Sequence, residues 1–317
     1  MKSNKKIVVI GGGTGVFTVL SGIKKYFNNP TAIVTTADDG GSTGILREEF
    51  GILPPGDIRR ALLALSSSDK KILSQLFGYR FDKGGGLSGH SFGNLMIAAL
   101  ERITGDFEKA ISEAGKLLGV EGRVIPVTLK KISLVAKLED GRLIRGETNI
   151  DIPKHDGALK IKKVWLEPAE ASLNPAARKA VLEADAIILG PGDLYTSLVP
   201  NLLVKGMRQA LGKTKGKKFY FVNLMTKFGE TTGFRASDFV GAVEGYLGKK
   251  ILDYVVINKN KPAPMRFRPY AKERAQFVEA DLENLTRHTP ITADLIRKQG
   301  FIRHDPEKVA KIIQMLV

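Results

Sequence analysis

Four short segments rich in glycine and polar residues carry most of the potential chemistry in this sequence. They are residues 11–15 (GGGTG), 36–44 (TADDGGSTG), 190–197 (GPGDLYTS) and 223–233 (NLMTKFGETTG). Glycine lets a phosphate group approach free backbone N–H groups at the start of a helix. The first segment matches neither G-x-G-x-x-G nor GxxxxGK[ST], which argues against a P-loop ATPase. A glycine cluster can also form a tight turn with no ligand.

Two adjacent carboxylates stand in the second glycine segment. Asp38 lies about twenty residues after the first segment, where an acidic residue can accept hydrogen bonds from a ribose. Asp39 could hold Mg²⁺, because paired carboxylates near phosphates suit a hard cation. The alternative for Asp39 is a structural one, in which its side chain caps the turn or the following helix.

The segment 89–93 (GHSFG) matches the G-x-S-x-G pattern of serine hydrolases, with Ser91 as nucleophile and His288 or His304 as base. A nucleophile elbow needs a strand running directly into the turn, and the preceding FDKGGGLS is unlike a strand. We therefore interpret Ser91 as the N-cap of a helix that contains Asn94.

Two residues near the C-terminus could contact a phosphorylated ligand. Arg303 precedes a helix that the pair Asp305 and Pro306 should cap, and an arginine there suits a diphosphate. Tyr270 follows the basic stretch RFR and could stack on a base or a sugar. For both residues the alternative is an ordinary solvated surface position.

The strands and helices that must position these residues can be predicted from the pattern of apolar residues. Their order indicates a doubly wound α/β fold with a mostly parallel sheet, in a single domain over residues 1–317. Buried strands are predicted at residues 7–10, 32–36, 186–189, 219–224 and 254–257. Residues 57–118 predict a helical block, and the alternating pattern of residues 124–167 predicts a β-rich insertion. The irregular stretch 259–303 carries no predicted strand. Because ligands bind beyond the carboxyl ends of parallel strands, the four glycine segments should converge on one cleft.

Composition narrows the class of protein further. The 317 residues contain no cysteine and four histidines, so disulfides, thiolate zinc sites and histidine metal clusters are not expected. The sequence contains no run of about 18 apolar residues that would predict a membrane span, and we expect a cytoplasmic protein. The formal net charge of +16 suggests an anionic partner. The lysines at 213–218 lack interleaved aromatic residues, so specific nucleic-acid binding is not expected.

Six motifs in order resemble the YvcK family, also called the gluconeogenesis factor family, within the CofD-like proteins. They are IGGGTG, TADDGGSTG followed by LR, PPGDIR, GHSFGN, GPGDLYTSLVPNLL and NLMTKFGETTGFRASD. The resemblance implies a modified Rossmann-like fold and a cytoplasmic bacterial regulator of cell shape and of growth on gluconeogenic carbon. It also implies binding of a UDP-sugar such as UDP-N-acetylglucosamine, control of peptidoglycan precursor supply, a protein partner and an optional homo-oligomer.

The resemblance also implies which residues contact the nucleotide sugar: Gly12, Gly13, Thr14, Asp38, Asn94, Gly190, Tyr270 and Arg303. The sequence departs from the family pattern at Asp193, where serine is usual, and at Arg60, where asparagine is usual. No cofactor is required by this interpretation, and Mg²⁺ at Asp39 is optional. The CofD relatives are enzymes, so the alternative is a Mg²⁺-dependent transfer of 2-phospho-L-lactate to a deazaflavin.

Overall fold

A seven-stranded parallel sheet forms the centre of the protein, in a computed structural model that describes residues 1–317. The chain forms ten strands, and the sheet has the order β10-β9-β8-β7-β1-β2-β3. The strands are β1 (Ile7–Gly11), β2 (Thr31–Val34), β3 (Arg123–Pro126), β4 (Ser133–Leu138), β5 (Leu143–Arg145), β6 (Ile161–Glu167), β7 (Ala186–Leu189), β8 (Lys217–Phe221), β9 (Tyr254–Asn258) and β10 (Thr289–Ala293).

Both faces of this sheet are buried. In β1, Val8 and Ile10 belong to one hydrophobic cluster, whereas Ile7 and Val9 belong to another. Helices cover each face, so the central strands are apolar at successive positions rather than at alternate ones. The fold is therefore a Rossmann-like α/β fold, as the apolar runs in the sequence predict.

Twelve α-helices surround the sheets. They are α1 (Gly13–Ile23), α2 (Gly41–Phe50), α3 (Gly56–Leu65), α4 (Lys71–Gly78), α5 (Phe92–Thr104), α6 (Phe107–Leu117), α7 (Glu147–Asp151), α8 (Pro175–Leu182), α9 (Val199–Leu203), α10 (Met207–Lys213), α11 (Ala236–Leu247) and α12 (Pro306–Leu316). The helical block is confirmed as α3 to α6. Asp305 caps α12 as predicted, because its Oδ1 accepts hydrogen bonds from the N–H groups of Glu307 and Lys308. No helix combines the length and the apolar character needed to cross a membrane.

Two strands differ from the sequence prediction. Residues 123–126, which we assigned to the start of the β-rich insertion, form β3 and pair in parallel with β2 in the main sheet. The insertion itself is an antiparallel sheet of order β5-β4-β6. In the stretch predicted to be irregular, β10 pairs in parallel with β9. Its edge position leaves β10 mostly exposed, so its sequence TPITA lacks the apolar run that marks the central strands.

Candidate functional site

The four glycine segments meet in one cleft at the carboxyl edge of the main sheet. They follow β1, β2, β7 and β8, which are adjacent in the sheet. Residues from all four segments line a single cavity of about 560 Å³. The predicted convergence is therefore confirmed, and its cause is the parallel order of the strands.

Four helices begin at this cleft. The cavity lining includes Gly13, Gly41 and Gly56, the first residues of α1, α2 and α3, and Asn94 in the first turn of α5. The first N–H groups of a helix have no partner within the helix, and the peptide dipoles add partial positive charge there. The cleft is thus suited to an anionic group.

A buried carboxylate occupies part of the first glycine turn. Asp57 of α3 accepts a hydrogen bond from the N–H of Gly13 at 2.9 Å. A Cβ at Gly12 would lie 2.4 Å from the second oxygen of Asp57, so only glycine allows this approach. A phosphate at this turn must therefore use the next N–H groups of α1, those of Thr14 and Gly15. We did not predict a role for Asp57, although its PPGDIR segment is one of the six motifs.

Asp57 belongs to a group of carboxylates in the cleft. Burial, together with repulsion by Asp38, raises the pKa of Asp57 to about 6. Burial also raises the pKa of Asp38. The hydrogen bonds donated by the N–H of Gly40 and by Thr43 lower this pKa but do not cancel the effect of burial. Burial, together with repulsion by Asp38, Asp151 and Asp57, raises the pKa of Glu147 to about 9. Glu147 comes from the β-rich insertion, and nothing in the sequence marks it as part of the cleft.

The substitution Glu147→Gln is expected to stabilise the protein increasingly as the pH rises. The pKa of Glu147 is higher in the folded than in the unfolded chain, so ionisation between about pH 4.5 and pH 9 lowers the stability of the wild type. The variant should match the wild type at pH 5 and melt roughly 2–4 °C higher at pH 8. Thermal melts at both pH values test this, with exposed Glu49→Gln as the control. A difference that does not grow with pH would contradict it.

Four arginines line the cleft together with the carboxylates and carry the opposite charge: Arg59, Arg60, Arg80 and Arg303. Arg59 is buried, donates from Nε to Asn94 Oδ1 at 3.0 Å, and has a pKa lowered to about 10 by burial. Arg60 lies 3.8 Å from Asp57 and is about half exposed. Arg303 is exposed and lies over the ring of Phe301. The guanidinium groups of Arg60 and Arg303 are available to an anionic ligand, whereas exposed Arg80 donates to the carbonyl of Gly89.

The helix-cap interpretation of Ser91 is confirmed. Ser91 is buried, and its Oγ accepts a hydrogen bond from the N–H of Asn94 at 3.1 Å. Of the two candidate bases, His288 contacts Glu244 of α11, and burial lowers the pKa of His304 to about 4. The structure therefore offers no accessible nucleophile at Ser91.

Asp39 lies beside the cleft rather than in its lining. Its two carboxylate oxygens accept hydrogen bonds from the N–H groups of Glu147 and Thr148 at 3.1 and 2.9 Å. Asp39 thus caps α7 and attaches the insertion to the second glycine segment, a structural role at a distant helix rather than at its own turn or at the following helix α2. A metal ion at Asp39 would have to share these oxygens with the two N–H donors.

The other predicted ligand residues fall into two groups. Gly12, Gly13, Thr14, Asp38, Asn94 and Arg303 line the cavity together. Gly190 lies just before the lining residue Pro191, and its N–H donates to the carbonyl of Ile10. Tyr270 is buried, and its hydroxyl donates to the carbonyl of Ile302 at 3.2 Å. In this structure Gly190 and Tyr270 support lining residues instead of facing the cavity.

A charged network that the sequence analysis missed lies at one end of the cleft. Lys227 Nζ is 3.0 Å from Asp193 and 3.3 Å from Glu230, and it also bonds Asp151 of α7. Buried Glu230 in turn accepts hydrogen bonds from the N–H of Tyr195 and from the hydroxyl of Thr196. The three carboxylates are spaced like metal ligands, but the ammonium of Lys227 is the cation among them. Asp193, the departure from the family pattern, is thus part of an ion-pair network.

Comparison with known proteins agrees with the fold and with the motifs. The family model described as "2-phospho-L-lactate transferase CofD" matches residues 7–296. The "Gluconeogenesis factor" of Halalkalibacterium halodurans is 42% identical over 98% of this chain and 95% of its own length. The "Gluconeogenesis factor" of Bacillus subtilis (strain 168) is 42% identical over 99% of this chain and 98% of its own length.

A solved structure shows the same fold. The crystal structure of a UPF0052 family protein from Bacillus halodurans superposes with a TM-score of 0.94 at 42% identity, covering 99% of this chain and 100% of that one. The similarity thus spans the sheet, the insertion and the cleft. The chain therefore belongs to the CofD-like family and, within it, to the gluconeogenesis factor (YvcK) group.

Proposed function

We propose that this protein is a regulator that binds a nucleotide sugar of the UDP-N-acetylglucosamine type in the cleft. The observation that carries the proposal is the convergence of four helix starts and four arginines on one cavity. A cavity of about 560 Å³ is within the range of small-molecule sites. The net charge of +16 is not needed for this binding, since backbone N–H groups and a few arginines suffice.

The two kinds of charge in the cleft suit the two halves of such a ligand. The diphosphate would bind at the start of α1, where Thr14 and Gly15 offer N–H groups and Arg60 and Arg303 offer positive charge. The carboxylate of Asp38 is a hydrogen-bond acceptor for ribose or sugar hydroxyls, and the carboxyl of Glu147, protonated at pH 7, can both donate and accept. Gly190 and Tyr270 would act indirectly, by holding Pro191 and the segment that carries Arg303.

UDP-N-acetylglucosamine is expected to raise the melting temperature by mass action, with about 2.7 kcal/mol of stabilisation at a concentration of 100 Kd. Arg303→Ala should abolish most of the shift, whereas Lys213→Ala, at an exposed lysine outside the cleft, should leave it unchanged. Differential scanning fluorimetry with UDP-N-acetylglucosamine, UDP and N-acetylglucosamine 1-phosphate shows which half of the ligand is recognised. No shift at millimolar ligand would refute the proposal.

The biological setting is part of the same proposal. The relatives named gluconeogenesis factors support a role in carbon metabolism, and we place the protein in the cytoplasm as a regulator of cell-wall precursor supply and cell shape. Expression in a Bacillus subtilis strain that lacks its own gluconeogenesis factor should restore growth and shape on gluconeogenic carbon. An Arg303→Ala variant that complements fully would separate this role from ligand binding.

The alternative function is a Mg²⁺-dependent transferase, and one observation favours it. Partly buried Asp38 and buried Asp57 lie beside the α1 turn with raised pKa values, and such hard oxygen ligands suit Mg²⁺. Asp38 and Asp57 each keep one oxygen free of backbone hydrogen bonds, whereas both oxygens of Asp39 accept one, so these two residues fit a divalent cation better than Asp39. Transfer of phospholactate to a deazaflavin, lost in Asp38→Asn, would establish the enzyme. Absence of turnover with Mg²⁺ present would exclude this alternative.

A further inference from the structure

An exposed phenylalanine near the cleft is surrounded by arginines. Phe301 is 51% exposed, and the guanidinium of Arg303 lies 5.6 Å from the centre of its ring. The backbone carbonyl of Phe301 accepts hydrogen bonds from Arg297 Nε at 3.0 Å and from Arg266 at 3.3 Å. Three guanidinium groups thus gather around one residue. We call Phe301 and its partners Arg266 and Arg297, together with Met265, Arg268 and Lys298, which lie within two positions of these partners in the chain, the Phe301 face.

The positive charge of the Phe301 face is not neutralised within the protein. None of its basic residues lies within ion-pair distance of a carboxylate. Asp294, which precedes Arg297 in the chain, forms its ion pair with Lys308 instead. Arg266 and Arg297 donate only to backbone carbonyl groups, which carry no net charge to offset theirs. Arg268 and Lys298 are exposed and make no side-chain hydrogen bond. A complementary partner must therefore be acidic.

The composition of this face favours a protein over a nucleic acid. Met265, next to Arg266 in the chain, is 72% exposed, so the face includes a second large exposed apolar side chain besides Phe301. Phenylalanine, methionine and arginine are enriched at protein interfaces, whereas lysine is depleted. Lone exposed apolar residues are ordinary, but here they coincide with unpaired guanidinium groups on one packed segment.

The Phe301 face is connected to the cleft by a short segment. Ile302, Arg303 and His304 line the cavity, and they follow Phe301 directly. The ring of Tyr270 packs edge-on against Phe301, while its hydroxyl bonds the carbonyl of Ile302. A ligand that draws Arg303 into the cleft would remove its guanidinium from the ring of Phe301. The occupied and empty states would then present different faces.

We propose that the Phe301 face is the docking surface for a protein partner, which offers an acidic rim around an apolar pocket for Phe301 and Met265. The proposal rests on the regulator function above, since it supplies the surface through which ligand binding in the cleft reaches another protein. It commits to an acidic protein surface rather than to nucleic acid.

The test measures the binding of defined probes by fluorescence anisotropy at physiological ionic strength. The probes are an acidic amphipathic peptide of Glu and Leu, the same peptide with each Leu replaced by Ser, and random duplex DNA. The protein variants are Phe301→Ala, the double variant R268E/K298E, and the matched control K213E/K215E, which changes the net charge equally at exposed lysines outside the face. Circular dichroism melts establish that each variant is folded.

The Glu and Leu peptide should lose about tenfold in affinity with Phe301→Ala and with R268E/K298E, and change less than about twofold with the control. The Ser peptide should bind more weakly and be insensitive to Phe301→Ala. Equal losses in both double variants would reveal attraction to the overall charge only and overturn the proposal. DNA that binds more tightly than the peptide and depends on the same residues would replace the acidic protein with nucleic acid.

Ligand binding is measured separately on the same variants. Phe301→Ala and R268E/K298E should keep the UDP-N-acetylglucosamine melting shift, because neither substitution removes a residue of the cavity. A wild type that binds the peptide but not the nucleotide sugar refutes the proposed function and leaves the docking surface standing. A wild type that binds the sugar, with peptide binding unchanged in the face variants, refutes the docking surface alone.

Discussion

Gly15→Ala is expected to lower the free energy of unfolding by about 3 kcal/mol or more. A Cβ at this position would lie 1.8 Å from the carbonyl oxygen of Pro191 and 2.9 Å from the backbone nitrogen of Gly192. Both obstacles are backbone atoms of the segment after β7, so no side-chain rotation relieves the overlap. Either α1 or the segment after β7 has to move, and both line the cleft. Urea unfolding followed by circular dichroism measures the loss.

The matched control is Gly241→Ala in the middle of α11. No atom lies within 4 Å of a Cβ built there, and the backbone is helical. Alanine restricts the unfolded chain more than glycine does, so this variant should be more stable than the wild type by about 0.5–1 kcal/mol. If Gly15→Ala unfolds at the same urea concentration as the wild type, the close approach of α1 to the segment after β7 is incorrect.

Lys227→Met is expected to destabilise the protein by about 3–5 kcal/mol, because it leaves the buried carboxylate of Glu230 and the partly exposed carboxylates of Asp151 and Asp193 without their cation. Glu230 is buried, and burial raises its pKa to about 7 even with Lys227 beside it. Without Lys227 that pKa should rise further. The folded variant then has a higher pKa for Glu230 than the unfolded chain, so its stability falls as the pH rises. The deficit should therefore be larger at pH 8 than at pH 6.

Two further variants separate this network from surface charge. Lys205→Met removes a lysine whose ion pair with Glu170 is mostly exposed, and it should cost less than about 1 kcal/mol. Adding Glu230→Gln to Lys227→Met should recover part of the loss, because a neutral amide tolerates burial better than an unpaired carboxylate. A loss in Lys227→Met no larger than that in Lys205→Met would show that the network contributes little.

The Lys227 network also bears on the proposed ligand site. Asp151 belongs to α7, and Asp39 caps the same helix from the opposite end. These two attachments hold the β-rich insertion against the carboxyl edge of the sheet, where Glu147 faces Asp38 and Asp57. Weakening either attachment should disturb ligand binding as well as stability.

Much of the architecture follows from short-range patterns in the sequence. The apolar runs predict β1, β2, β7, β8 and β9, because a strand covered on both faces must be apolar at each position. The caps at Ser91 and Asp305 are also readable, since a helix cap involves residues only two or three positions apart. The convergence of the glycine segments follows from strand direction alone.

The limits of prediction lie where contacts join distant parts of the chain. Asp57 and Gly13 are 44 positions apart, and Asp39 and Glu147 are 108 apart, so no local pattern relates them. The same holds for β3, whose short run RVIP could pair with either sheet.

The sequence by itself therefore determined the fold class, the family motifs and the edge of the sheet where the cleft lies, because those depend on local periodicity and strand direction. Only the tertiary structure decided which charges occupy the cleft. It placed Asp57 on the first glycine turn, brought Glu147 in from the insertion and set Lys227 among three carboxylates. Burial and mutual repulsion then raise the carboxylate pKa values, and these depend on distances through space that sequence spacing does not report.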